Sequence, residues 1–111
     1  MRSIDDMVFK IKADFLKALA HPIRLQVIEY LKEGEASVGK LVQELGVEQS
    51  SLSRHLAILR DLGVLEARQE KKNVYYRLRE RDIFKVLRPI AELLRRKLKR
   101  SEKILEKLGK E

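Results

Sequence analysis

The chain has 111 residues, with 25 lysines and arginines against 17 aspartates and glutamates, and it contains no cysteine. Without cysteine, disulfides, thiolate metal sites and thiol redox switches are excluded, and the net charge of +8 suits a polyanionic partner. The length fits one domain with a modest core. No apolar run is long enough to cross a membrane, and the N-terminal residues alternate charged with apolar side chains, so a cytoplasmic protein is expected.

An amphipathic helix is predicted over residues 4–20, because apolar residues recur there at spacings of three and four with charges between them. This apolar stripe consists of Ile4, Val8, Ile11, Phe15, Ala18 and Leu19. Phe9 and Leu16 lie beside the stripe and widen it beyond what one neighbouring helix can cover. Burial on two sides, by its own domain and by a partner chain, would use such a face.

A second helix is predicted from Pro22 to Lys32. Proline suits the first turn of a helix and disfavours helical geometry in the residue before it, so His21 marks the boundary between the two helices. Gly34 then ends the second helix.

A helix-turn-helix is predicted over residues 37–62. Ser37 is expected to cap a short third helix, and Gly46 ends that helix shortly before a fourth one begins at Gln49. Two helices joined by a tight turn that contains glycine form this motif. The residues that should face inward are Leu41 and Leu45 on the first helix of the motif and Leu52 and Leu56 on the second.

The fourth helix has an apolar back and a small, polar front. At 100° per residue, Leu52, Leu56 and Leu59 fall on one stripe, and Ser50, Ser53, Arg54 and Ala57 fall opposite. The small side chains let the backbone approach base edges closely. Gln49 and Arg54 are the side-chain types that make bidentate contacts to adenine and guanine respectively. This pattern predicts a helix that reads the DNA major groove.

A β-hairpin is predicted over residues 64–79, directly after the fourth helix. Two β-prone segments are separated there by a polar, positively charged turn at residues 70–73. Val74, Tyr76 and Leu78 should share one face of the second strand, and Tyr75, Arg77 and Arg79 the other. A basic hairpin in this place is a wing. The predicted fold is therefore mainly α with a small β-hairpin, a winged helix-turn-helix.

The last third of the chain predicts a long amphipathic helix over residues 82–108. Pro89 lies inside the pattern, so we expect one bent helix or two abutting ones at that point. The basic stretch from Arg95 to Arg100 favours a solvated helix face, with an accessory phosphate contact as the alternative. The first and last helices together carry more apolar residues than one small core can cover, which predicts a two-fold dimer. The expected interface residues are Ile4, Val8, Phe15, Ile83, Leu87, Ile90 and Leu94.

The segments from Leu16 to Leu31 and from Leu41 to Leu78 resemble the ArsR/SmtB family of bacterial and archaeal winged-helix repressors. The resemblance implies a homodimer that shares its first and last helices, and a repressor that binds an inverted-repeat operator near its own promoter. It also implies double-stranded DNA as the partner, with one domain spanning residues 1–111.

The resemblance places the family's DNA-contacting positions on the recognition helix at Gln49, Ser50, Ser53 and Arg54. Arg54 stands where members of the family often have histidine, so the base preference need not follow that of relatives. For His55 two roles remain open, flanking the DNA or packing against the wing. The wing would bring its basic residues to backbone phosphates or the minor groove. These are Lys71 and Lys72 at the turn, and Arg68, Arg77 and Arg79 on the strands.

Metal-sensing members of the family carry a cysteine-containing motif in the third helix, or histidine and acidic ligands on the last helix. Here the corresponding segment, residues 37–41, has no thiol, and the last helix has no histidine. His21 and His55 lie in different elements, and scattered carboxylates are usually solvated rather than cation ligands. Those carboxylates are Asp82, Glu92 and Glu102. No metal and no cofactor are expected, while a small-molecule or protein effector remains open.

Catalysis is not expected, although Ser51 and His55 lie four residues apart on one side of a helix, because no third group accompanies them. Two alternatives to a sequence-specific regulator remain. One is a non-specific architectural DNA-binding protein, and the other is a winged helix that serves as a protein-interaction module. The polar front at residues 50, 53 and 54 argues against the second, since protein docking usually needs exposed apolar anchors.

Overall fold

The computed structural model describes residues 3–98 and 102–109. The chain divides into two compact units, Met1–Glu80 and Arg81–Glu111. Four α-helices and a three-stranded sheet form the described part of the first unit, and two helices form that of the second. The winged helix-turn-helix fold is confirmed, while the organisation as one domain stays a prediction.

Helix α1 spans Ile4–Leu19, close to its predicted bounds. Ser3 caps it, because the Ser3 Oγ accepts a hydrogen bond from the Asp6 backbone N–H at 3.2 Å. The carboxylates of Asp5 and Asp6 lie in the first turn, where the helix dipole favours negative charge. Leu19 is the buried residue of this helix, and most of its other apolar side chains remain exposed.

Helix α2 spans Pro22–Tyr30 and is followed by a 3₁₀ turn at Leu31–Glu33. The α-helix is therefore shorter than predicted, because its last turn tightens before the left-handed region at Gly34, whose φ is 142°. At the start of α2, the Nδ1 atom of His21 accepts a hydrogen bond from the backbone N–H of Ile23 at 3.1 Å. A histidine thus occupies the capping position.

Helices α3, Val38–Leu45, and α4, Gln49–Asp61, form the helix-turn-helix. The Ser37 Oγ accepts a hydrogen bond from the Lys40 backbone N–H at 3.1 Å and so caps α3, as predicted. Gly46 ends α3 in the left-handed region with φ of 64°, and its N–H donates to the Val42 carbonyl at 3.0 Å. The inward side chains with no exposed surface are Leu41, Leu52, Leu56 and Leu59.

The sheet has three antiparallel strands in the order β1-β3-β2. They are β1, Ala36–Ser37, β2, Leu65–Glu70, and β3, Asn73–Leu78. The hairpin of β2 and β3 is the predicted wing, and Tyr76 and Leu78 are buried on one face while Arg77 is exposed on the other. Strand β1 was not predicted, because two residues are too few to show alternation.

The second unit contains helix α5, Ile83–Lys97, and helix α6, Glu102–Gly109. No break occurs at Pro89, which lies inside α5, and the helix ends instead at Leu98, whose backbone is extended with ψ of 99°. A bend of α5 at Pro89 stays a prediction. Arg95, Arg96 and Lys97 lie in the last turn of α5. Positive charges are favourable there, because the carboxyl end of a helix dipole is negative. Lys99 and Arg100 of the basic stretch lie outside the described residues. None of the described helices has both the length and the apolar character needed to cross a bilayer.

Candidate nucleic-acid interface

The front of α4 is open to solvent over the residues predicted to read DNA. Gln49, Ser50, Ser53 and Arg54 are all exposed, whereas the leucines on the back of the helix are buried. The Ser50 hydroxyl donates a hydrogen bond to the carboxylate of Glu48, the residue just before the helix. A base contact by Ser50 would therefore have to replace this bond or use the free lone pairs of the hydroxyl oxygen.

A groove of about 380 Å³ separates the start of α4 from the wing. Gln49 and Ser53 line it from α4, Gly39 from α3, and Lys72 and Asn73 from the wing. The fold thus brings three of the predicted DNA-contacting residues to one concave surface, although they are up to 23 positions apart in sequence. Two side-chain amides, one serine hydroxyl and one ammonium group line the same space, which suits a polar, negatively charged ligand.

Lys71 and Lys72 form the turn of the wing between the paired residues Glu70 and Asn73. Both lysines are exposed, and Lys71 adopts a left-handed conformation with φ of 56°. Among the residues that the structure describes, neither lysine forms an ion pair. The tip of the wing therefore presents two uncompensated positive charges.

Arg68, by contrast, is already engaged. Its Nε and Nη2 atoms donate to the Glu35 carboxylate at 2.8 and 2.7 Å, and its Nη1 atom donates to Glu70 at 2.6 Å. The guanidinium also lies 4.5 Å from the centre of the Tyr75 ring. This pairing lowers the pKa of the Glu35 carboxyl group and raises the pKa of Arg68. A phosphate contact by Arg68 would require the guanidinium to leave its carboxylates.

Arg77 is paired in the same manner, because its Nε donates to the Glu66 carboxylate on the neighbouring strand. Glu66 and Arg77 are cross-strand partners in the register that the turn at Glu70 and Asn73 sets. Sequence reasoning missed all three carboxylate partners of Arg68 and Arg77, which are Glu35, Glu66 and Glu70. Counting outward from the predicted turn would have found Glu66, whereas Glu35 precedes a strand that the sequence did not reveal.

His55 is 9% exposed and contacts Arg24 of α2 and the capping residue His21. Its predicted role, flanking the DNA or packing against the wing, stays a prediction. Its Nδ1 accepts a hydrogen bond from the Nε of Arg24 at 3.1 Å, and its ring centre lies 4.2 Å from that of His21. Burial lowers the pKa of His55, and the positive charges of His21, Arg24 and Arg54 lower it further. Sequence reasoning placed the two histidines in different elements and missed their contact.

The residues predicted to form a dimer interface differ in exposure. Ile83 is 2% exposed within the single chain, so its assignment to the interface is wrong because it has almost no surface left to bury. Phe15 and Leu87 are half-buried. The remaining four are exposed: Ile4 by 78%, Val8 by 41%, Ile90 by 44% and Leu94 by 39%. Other large apolar side chains that are exposed on these helices include Met7, Phe9 and Ile11 on α1, and Val86 and Leu93 on α5.

Within residues 3–98 and 102–109, no group of three or more histidine, aspartate or glutamate side chains is arranged to hold a metal ion. Ser51 and His55, the pair considered for catalysis, line a common pocket with Arg24 and Arg54. The described residues bring no carboxylate into that pocket.

A helix-turn-helix whose second helix presents an exposed polar front, followed by a basic hairpin, defines a winged helix DNA-binding domain. Residues 21–67 match the family model described as "Bacterial regulatory protein, arsR family". The chain belongs to the ArsR family of transcriptional regulators.

Curated relatives agree with this assignment. The chain is 38% identical over 102 residues to the uncharacterized HTH-type transcriptional regulator Rv0081 of Mycobacterium tuberculosis, a match that covers 91% of this chain and 90% of that protein. It is 47% identical over 68 residues to the biofilm growth-associated repressor of Xylella fastidiosa, over 61% of this chain. The match spans only 60% of the length of that repressor.

Solved structures show the same fold. The crystal structure of Rv0081 has a TM-score of 0.72 and 39% sequence identity, with 80% of this chain and 90% of that chain covered. A homodimeric winged helix-turn-helix DNA-binding domain from Mycobacterium bovis, solved by solution NMR, also has a TM-score of 0.72, with 26% identity and coverage of 92% and 97%. These similarities confirm a regulator of the winged helix-turn-helix class.

Proposed function

We propose that this chain is a sequence-specific repressor that binds an inverted-repeat operator as a homodimer in the cytoplasm. The observation that carries the proposal is the groove in which Gln49 and Ser53 of α4 lie together with Lys72 of the wing. Side chains that recognise bases and a side chain that binds phosphate are thereby presented to one duplex at the same time.

Sequence reading is assigned to the front of α4. Gln49 and Arg54 would contact base edges, because the amide of glutamine matches adenine and the guanidinium of arginine matches guanine. Ser50 and Ser53 keep the backbone close to the groove floor. Both long side chains are exposed, so neither has to leave a buried position to reach the DNA.

Phosphate binding is assigned first to the tip of the wing. Lys71 and Lys72 are exposed and without ion-pair partners in the described chain, so binding DNA costs them no existing contact. Arg68 and Arg77 are secondary candidates, because each would have to exchange a glutamate for a phosphate. The lysines should therefore account for more of the salt dependence of binding than the strand arginines.

Dimerisation is supported by the solvent-exposed apolar residues of α1. Ile4, Phe9 and Ile11 are 78%, 70% and 64% exposed, and an apolar face of this kind usually marks an interface. A second copy of this chain is the proposed occupant, since the M. bovis relative is described as homodimeric. Two-fold symmetry would place the two α4 helices about 34 Å apart, one turn of DNA, and would demand a palindromic site.

We further propose that the repressor does not respond to metal ions. The chain contains no cysteine, and the described residues bring no three potential ligands together. Any release from DNA would then depend on another effector.

Fluorescence anisotropy tests this function. Purified protein, treated with excess chelator, is titrated onto the duplex upstream of its own gene and onto a scrambled duplex at two salt concentrations. We expect binding that prefers the upstream duplex by about a thousandfold or more, with no change when zinc, nickel or cobalt replaces the chelator. Equal affinity for both duplexes would indicate an architectural DNA-binding protein, and no binding to either would indicate a protein-interaction module.

A further inference from the structure

A second pocket of about 380 Å³ lies between α2 and α4, apart from the groove beside the wing. His21 and Arg24 line it from the start of α2, and Ser51, Arg54 and His55 line it from α4. Its volume falls in the range of pockets that hold small molecules. Of the residues that line this pocket, Arg54 alone has a role in the proposed reading of DNA, and none belongs to the wing.

The imidazoles offer hydrogen-bond donors to this pocket. His21 and His55 both use Nδ1 as an acceptor, from the Ile23 N–H and the Arg24 Nε respectively, so in each neutral ring the proton lies on Nε2. In the described chain no buried side-chain nitrogen or oxygen lacks a partner, and neither Nε2 atom has a partner among the described residues. Both Nε2–H groups must therefore reach solvent, and both histidines line the pocket.

Positive charge in the pocket is uncompensated. Within the part of the chain that the structure describes, neither Arg24 nor Arg54 forms an ion pair with a carboxylate, and no acidic side chain lines the pocket. The guanidinium of Arg24 is also held in place, because its Nη1 donates to the Ala18 carbonyl at 2.9 Å while its Nε donates to His55. One N–H of Nη1 and both N–H groups of Nη2 remain to donate paired hydrogen bonds to an oxyanion.

We propose that this pocket binds a phosphate group. Arg24, Arg54 and the two Nε2–H groups supply the donors, and the Ser51 hydroxyl supplies another. Ile23 and Ile58 form the apolar part of the lining, which suits an organic substituent on the phosphate. The same chemistry can come from a free phosphate ester or from the backbone of bound DNA.

The two sources have opposite consequences for regulation, a point that rests on the proposed function. A free phosphate ester would hold Arg54 at the pocket and away from base edges, and would thus weaken operator binding. A backbone phosphate in the pocket would instead add to the DNA contacts, because Arg24 and His55 would anchor the strand beside α4.

The test is an NMR titration of the full chain with inorganic phosphate at pH 7.5, with chloride as the compensating anion at constant ionic strength. The ring ¹⁵N resonances of His21 and His55 are followed. We expect saturable shifts of both Nε2 signals, and apparent affinity at least about tenfold weaker in Arg24→Gln and in Arg54→Gln. Arg60→Gln, on the same helix but outside the pocket, should retain wild-type affinity.

If Arg24→Gln does not fold, Arg54→Gln still tests the proposal. Arg54 is exposed and makes no hydrogen bond within the described chain, so replacing it should not disturb the fold. Shifts that do not saturate, or that are equal in the pocket variants and in Arg60→Gln, would overturn the proposal. No DNA is present in this titration, so its result is independent of whether the operator is bound.

A second arm adds the operator duplex. If phosphate still binds to the DNA complex or releases the duplex while shifting both histidines, the ligand is a free phosphate. If the duplex itself shifts the Nε2 signals and a methylphosphonate at one backbone position abolishes those shifts, the ligand is the DNA backbone.

Discussion

Arg54 lies on the exposed front of α4 and also lines the pocket between α2 and α4. We expect Arg54→Ala to weaken binding to the operator by about 1 to 3 kcal/mol and to relax specificity at one base pair, since a bidentate contact to guanine is lost. Anisotropy titrations against the operator and its single-base variants measure both effects. If affinity falls by the same factor for every duplex, Arg54 binds phosphate and does not read sequence.

His55 makes the stability of the fold depend on pH. Burial and neighbouring positive charges hold the pKa of His55 below its ordinary value of 6.5. As the pH falls below this value, the unfolded chain takes up a proton that the folded chain resists, so stability that is present above pH 6.5 is lost in mildly acidic solution.

Thermal unfolding between pH 7.5 and pH 5 checks this effect. We expect the Tm of the wild type to drop more steeply across this interval than the Tm of His55→Gln, which is lower at neutral pH but lacks the titrating group. Parallel profiles for the two proteins would show that His55 does not contribute to the acid sensitivity.

At the level of residues, the sequence predicted side chains whose role follows from helix periodicity. Gln49, Ser53 and Arg54 lie on the exposed front because a period of 3.6 residues and a leucine stripe leave no other orientation. The contact of His55 with Arg24 joins positions 31 apart in sequence, and no local pattern encodes it. Pairing of Arg68 with Glu35 was hidden for the same reason.

The turn between the two helices of the helix-turn-helix contains Gly46, whose backbone is left-handed with φ of 64°. Gly46→Ala should destabilise the fold by about 1 kcal/mol or somewhat more, because a Cβ disfavours this conformation although nothing lies within 4 Å of it. Gly39→Ala, inside α3, is the matched control and should stabilise by about 0.5 to 1 kcal/mol. Chemical denaturation of both variants measures the difference, and equal effects would contradict the role of the turn.

The wing gives a prediction that depends on salt. Lys72→Ala should weaken binding to specific and scrambled duplexes alike and should reduce the slope of log affinity against log salt by about 1, since one phosphate contact is lost. Lys85→Ala, which removes an exposed lysine from α5, should leave the slope unchanged. A larger loss of affinity for one duplex than for the other would instead assign Lys72 to base recognition.

Among the elements, those with long or sharply bounded patterns were predictable. Helices α1 to α4 follow from apolar spacing together with Pro22, Ser37 and Gly46, and the hairpin follows from alternation around a polar turn. The end of α5 at Leu98 was not predictable, because the apolar pattern continues beyond it while the backbone turns extended. Pro89 suggested a break, yet the backbone of α5 stays helical through it, although a proline there removes one backbone donor and crowds the carbonyl four residues earlier.

For the whole molecule the main prediction concerns the dimer. Val8→Glu should convert the protein to monomers and reduce operator affinity by at least about a hundredfold, because a charge would be buried in the interface on α1. Leu25→Glu is the control, since Leu25 on α2 is also 41% exposed but lies outside the predicted interface. Sedimentation velocity at micromolar concentration distinguishes the two variants. A wild-type protein that sediments as a monomer would contradict the proposed dimer.

Ser37 belongs to two structures at once. Its backbone pairs with Tyr75 on strand β3 of the wing, and its hydroxyl caps the first turn of α3. The wing and the helix-turn-helix are therefore connected at one residue by a strand pairing and a capping hydrogen bond. In mechanical terms the hairpin would act as a lever arm, because a load applied by DNA at the Lys71–Lys72 turn would pass along β3 to the base of α3.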